Sequence, residues 1–128
     1  MERSEQLTEE QEAEFIPMTE PEMDDDGYPT ERTLHVIQHW PYREARACLE
    51  FCARAWRWPD WVGRELEPEE ALVVHADEGD EFMRFATGGW SGNEDIIAAL
   101  RRNRMIQAIA WRLTSRGGLH IYTMPKVK

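Results

Sequence analysis

The sequence predicts an α+β fold: one small domain whose antiparallel sheet of about four strands carries helices on one face, in the order α-α-β-β-α-β-β, preceded by a disordered acidic N-terminal arm. Three observations predict it. Ala45, Cys48, Leu49, Cys52 and Trp56 recur at helical spacing. Two β-prone runs, Leu72-Val73-Val74-His75 and Phe82-Met83-Arg84-Phe85, flank the turn-rich Asp77-Glu78-Gly79-Asp80. Ser115-Arg116-Gly117-Gly118 leads into the strand-like Leu119-His120-Ile121-Tyr122. A chain of 128 residues has room for one hydrophobic core, which is placed at 30–128.

Residues 1–29 are read as the arm. Eleven acidic residues and one basic residue, Arg3, fall within 1–30, while 31–128 hold fourteen of each, so the net charge of −10 sits at the N-terminus. With Pro17, Pro21 and Pro29 and few apolar groups, this stretch is not expected to offset the entropy of ordering. Leu7-Thr8-Glu9-Glu10-Gln11 has the form of a capping box, and a short helix there would form on a partner.

Thr30 can cap a first helix through Leu34, Ile37 and Trp40, stopped by Pro41, although Leu34, Val36 and Ile37 also suit a strand. The second helix runs from about Tyr42 to Arg57, with Arg46, Glu50 and Arg54 as a charge ladder on its outer side. An aromatic-rich loop follows, in which Trp58, Pro59 and Trp61 are expected to cover one edge of the core. The hairpin of 72–85 comes next. Ile96, Ile97 and Leu100 then mark a helix that should end near Asn103, because its stripe runs into Asn103, Arg104 and Gln107. Residues 105–113 match either a strand face or a helix face, and the following hairpin turn favours strand.

The segment Phe85–Leu100 carries the most specific motif, GGWSGN. Gly88 and Gly89 let the chain turn out of a strand, Ser91 and Glu94 are spaced as a capping box, and Trp90 reads as an anchor between sheet and helix. An anion site at this helix start is opposed by Glu94 and Asp95, which put two carboxylates in the first turn. Cys48 and Cys52, four apart on one helix, read as reduced core thiols. His35 and His39 share a helix face without the glutamate of a zinc-protease motif. Asp24-Asp25-Asp26-Gly27 departs from a calcium loop at its twelfth position, which is His35. No cofactor or metal is expected, and neither Ser91 nor Ser115 has a local base. Arg101, Arg102, Arg104, Arg112 and Arg116 come with no acidic residue between 96 and 128, and some of them would converge if 105–113 were a strand.

The stretches ATGGWSGNEDIIAAL, DGYPTE and SRGGLHIY resemble a family of small proteins encoded by tailed bacteriophages and prophages. The resemblance spans about Asp26 to Tyr122, and GGWSGNE is its most specific part. It implies a phage origin and a fold but no activity or catalytic residue. The final hairpin departs from the family's pattern, which has a second Arg and a His directly after the glycines, so Arg116 and His120 take no role from it.

The expected function is that of a non-enzymatic phage accessory protein that binds a host or phage protein, as a regulator or an inhibitor of host defence. Its contacts are sought in the acidic arm, in Trp58, Trp61, Trp90, Ser91 and Asn93, and in Arg101, Arg102, Arg112 and Arg116. A nucleic-acid or nucleotide binder using the arginines is the alternative from a second class. An enzyme with a site near Trp90, Ser91 and Asn93 is the third. The polar, acidic start and the lack of an eighteen-residue apolar window lead to an expectation of no membrane and of the cytoplasm, that of the host cell if the protein is phage-encoded.

Overall fold

Thr30 starts the first helix as its spacing predicts. In the computed structural model, which describes residues 19–125, its side chain accepts from Thr33 N at 3.2 Å and α1 runs Glu31–Gln38. The expected capping-box helix at Leu7–Gln11 lies outside the described residues. Residues 22–29, assigned from composition to the arm, are built into the fold. Glu22 N donates to Thr33 Oγ1 at 2.8 Å, Thr33 Oγ1 donates back to Glu22 O at 2.7 Å, and Met23 bridges to Pro29. Asp24 Oδ1 accepts from Asp26 N and Tyr28 N, both at 2.9 Å, which spends the acidic run on a tight turn. The folded unit therefore begins before Thr30, because these polar residues have local backbone partners that composition does not reveal.

A short 3-10 turn, Tyr42–Glu44, leads into α2, Ala45–Ala55. Ala45, Cys48, Leu49 and Cys52 are buried as their period requires, and both thiols are free. Trp56 ends the helix, and its indole N–H donates to Ala86 O at 3.0 Å, tying α2 to the sheet. A second 3-10 turn, Pro59–Trp61, carries the chain into the two-residue strand β1, Val62–Gly63.

The expected strand at Leu72–His75 does not form. Pro68–Val73 is a helix, α3, started by Pro68 and by Glu70, whose carboxylate accepts from Glu67 N at 2.9 Å. Leu72 and Val73 are exposed, so their β propensity meets no sheet face to pack on. β2, Phe82–Ala86, pairs instead with β1 on one side and with β4, Leu119–Thr123, on the other. β4 pairs with β3, Trp111–Ser115, through the expected glycine turn, which gives a four-stranded antiparallel sheet in the order β1-β2-β4-β3.

Between them lie α4, Ser91–Arg102, and α5, Arg104–Ala110. The expectation of a strand from Met105 is corrected here: the segment divides at Ala110 into helix and then strand. Asn103 is the cause. Its Oδ1 accepts from Ile106 N at 3.2 Å and caps α5, while its Nδ2 donates to Ile37 O at 3.0 Å and Trp40 O at 2.9 Å. Ile106 and Ala110 are then buried together, one helical turn apart.

Strand alternation separates two apolar clusters. Met83, Phe85 and Tyr122 face the main core with Ile37, Leu49, Phe51, Ile96, Leu100 and Ile106, so α1, α2, α4 and α5 lie on one face of the sheet. Phe82 and Ile121 point the other way, against Val74 at the end of α3. Arg84 fixes this second layer by a two-pronged pair with Glu70, both N···O distances being 2.9 Å. Among the described residues no helix is long and apolar enough to cross a membrane.

Candidate functional site

The loop after α2 and the glycine turn after β2 meet, and three tryptophans gather at the meeting point. Trp58 and Trp61 have ring centroids 4.8 Å apart, Trp58 lies edge-on to Trp90 at 6.0 Å, and Trp90 lies 4.7 Å from Tyr28. The Arg57 guanidinium stands 4.8 Å from the Trp90 ring centre and 5.3 Å from that of Trp58. Trp58 and Trp61 are 41% and 40% exposed, so the cluster is a surface and not a core. Among the described residues the indole N–H groups of Trp58, Trp61 and Trp90 have no partner, whereas those of Trp56 and Trp111 donate to Ala86 O and Thr114 Oγ1.

Asn93 holds the two loops together. It is fully buried; its Oδ1 accepts from Arg57 N at 3.0 Å, and its Nδ2 donates to Arg57 O at 3.4 Å and Thr87 O at 3.3 Å. The amide thus takes both backbone groups of the residue between Trp56 and Trp58. Two glycines let the rings lie against the backbone. A Cβ on Gly88 would fall 1.4 Å from the Trp61 ring, and one on Gly92 would fall 2.3 Å from the Trp90 ring. Trp58 has φ 61, a left-handed conformation that costs a bulky residue energy and that the surrounding clamp must hold.

Two roles expected within the motif are corrected. Trp90, not Ser91, is the residue before the first turn of α4; Ser91 is already helical and its hydroxyl donates to Tyr28 Oη at 3.2 Å. Trp90 is half-buried over Gly92 and Tyr28, where it extends the surface cluster instead of wedging sheet from helix. Sequence reasoning singled out Trp58, Trp61, Trp90, Ser91 and Asn93, and all five fall at this place. It missed Tyr28 and Arg57. The only signal for Arg57 is its position between two tryptophans.

The arginines do not converge. Arg101 and Arg102 end α4, Arg112 donates to Thr123 Oγ1 on the sheet face that carries Phe82 and Ile121, and Arg116 is exposed in the β3–β4 turn. A helix at 104–110 replaced the strand that would have aligned them. Arg101 lies close enough to His120 to act on its titration: burial first, then the Arg101 charge, lowers the imidazole below its ordinary range, against the opposing pull of Glu94. Neither a family model, nor a curated protein, nor a solved structure matches the chain.

An exposed group of locked aromatic rings, with unpaired N–H donors and a stacked guanidinium, is chemically suited to desolvation against a partner. It offers large apolar area at low side-chain entropy, with polar tips for orientation.

Proposed function

We propose that the protein acts by binding another protein through the Trp58–Trp61–Trp90 surface, as an accessory protein of the kind its GGWSGNE motif resembles, working in the cytoplasm as a regulator or an inhibitor. The observation that carries the reading is the gathering of three tryptophans with unpartnered N–H groups at the surface, preorganised by the buried Asn93. Tryptophan, tyrosine and arginine dominate the energetics of protein interfaces, and rigid anchors lose little entropy on binding. Glycines where the rings lie and an amide clamp beneath them favour a surface kept in shape over one that is merely apolar.

The test is partner capture from a host lysate, followed by affinity measurement with the purified partner. Trp58→Ala and Trp61→Ala are each expected to cost about 2 kcal/mol in binding, roughly thirtyfold, with melting temperatures close to that of the wild type. Equal affinity of the variants for the captured partner would sink the proposal.

A further inference from the structure

Arg46, Arg54, Arg64 and Arg84 each lie against a glutamate, but the adjacent pair Arg101 and Arg102, like the dispersed Arg32, Arg57, Arg112 and Arg116, has no acidic partner among the described residues. In a chain with 25 acidic and 15 basic side chains, two neighbouring guanidiniums without a carboxylate call for a reason. They border an open groove of about 500 Å³ between α4 and β4, lined further by Glu94, Ile97, Ala98 and His120.

His120 is placed in that groove by a relay from the sheet edge. Trp111 Nε1 donates to Thr114 Oγ1 at 2.9 Å, and Thr114 Oγ1 lies 3.0 Å from His120 Nδ1. If the hydroxyl, already accepting from Trp111, gives its own proton to Nδ1, the imidazole hydrogen sits on Nε2. Nε2 has no partner among the described residues and belongs to a side chain that lines the groove. His120 is only 7% exposed, so relay and burial together hold the ring's direction. Two guanidiniums border one end of the groove, and the His120 ring lies within reach of the charges of both Arg101 and Glu94. Glu94, seven residues before Arg101 and about 10 Å away along the helix axis, borders the other end. Ile97 and Ala98 lie between them in sequence and supply apolar lining.

We propose that this groove binds a small phosphate monoester. The phosphate oxygens accept from Arg101, Arg102 and the His120 Nε2–H group, the body of the molecule lies over Ile97 and Ala98, and a hydroxyl or amino group at its far end donates to Glu94. Three donor groups suit three terminal phosphate oxygens, where a carboxylate offers two. Glu94 selects against a ligand that is anionic along its whole length. For the same reason the groove is not a nucleic-acid track: Arg112 and Arg116 stand elsewhere, and its lining holds no tryptophan, tyrosine or phenylalanine for bases to stack on.

The experiment follows the His120 ring signals by NMR while the full chain is titrated with a panel of phosphate monoesters headed by glucose 6-phosphate, with inorganic phosphate, with glucose, and with a single-stranded oligonucleotide. A saturable shift with at least one ester, weaker with inorganic phosphate and absent with glucose, is expected. Arg101→Gln and Arg102→Gln, both at exposed positions, should each weaken it roughly tenfold or more with no change in melting temperature, while Arg116→Gln leaves it unchanged. Silence across the ester panel overturns the proposal, as does an ester shift that survives Arg101→Gln. Inorganic phosphate binding as tightly as every ester removes the far-end donor. Oligonucleotide binding that Arg112→Gln and Arg116→Gln weaken as much as Arg101→Gln replaces the site with a nucleic-acid footprint.

Discussion

Asn93 and Ser91 are neighbours in one motif, and their surroundings give them opposite weight. Replacing Asn93 with Ala leaves Arg57 N, Arg57 O and Thr87 O facing a buried gap, so a loss of about 2–4 kcal/mol is expected in denaturant unfolding. Replacing Ser91 with Ala removes one exposed 3.2 Å hydrogen bond to Tyr28 and no cap, so a change within about 0.5 kcal/mol is expected in the same measurement. A loss near 1 kcal/mol would restore Ser91 as the cap of the helix. Both side chains stood out in the sequence, but their ranking did not. A serine three residues before a glutamate signals a cap, whereas the work of Asn93 depends on a loop 36 residues away.

Among the elements, α3 is held to the sheet by little more than Val74 and the Glu70–Arg84 pair. Burial works to raise the Glu70 pKa, but the Arg84 hydrogen bond, the Glu67 N–H and the Arg84 charge outweigh it and hold the carboxyl below its ordinary value. A depressed folded-state pKa contributes stability that is complete above the unfolded value of about 4.3 and is lost as pH falls through the folded value. Amide exchange in Ala71–Val74 is therefore expected to speed up as pH falls below the ordinary carboxyl range, before the α1 and α2 amides respond. Equal protection of all three helices down to the acid transition would show that the pair does not hold α3. The strand expected at 72–75 shows why this element was illegible: Leu72, Val73 and Val74 have β propensity, but the local start signal at Glu67-Pro68 and the pairing of Val62–Gly63 beside β2 decide the outcome.

At the scale of the whole molecule, the stretch 22–29 is an extension of the domain. A chain starting at Thr30 loses the Glu22–Thr33 bonds, Met23 against the core and the Tyr28–Trp90 contact, and should melt roughly 5–10 °C below one starting at Thr19. Coincident melting curves for the two would return the boundary to residue 29. The thiols report on the same unit. Cys48 is fully buried, and burial, helped by a hydrogen bond and charge from Cys52, pushes its pKa well up. Labelling by a thiol reagent should therefore wait for global opening and slow in step with stability. Rapid labelling of the native protein would show a looser core.

The sequence by itself determined the elements whose signals are local and self-consistent. The stripe from Ala45 to Cys52 with its outer charges made α2, Thr30 capped α1, the end of α4 fell at Asn103, and the glycine turn closed β3 onto β4. It also marked the tryptophans and Asn93, because a large aromatic or a buried amide near glycines is rarely idle. Tertiary structure decided what depends on distant partners: the strand paired beside β2, the division of 105–113 at Ala110, the clamp of Asn93 on Arg57, and the separation of the arginines. The physical reason is that helix periods and turn residues act within a few positions, while sheet edges, buried amides and grooves exist only once segments far apart in the chain meet.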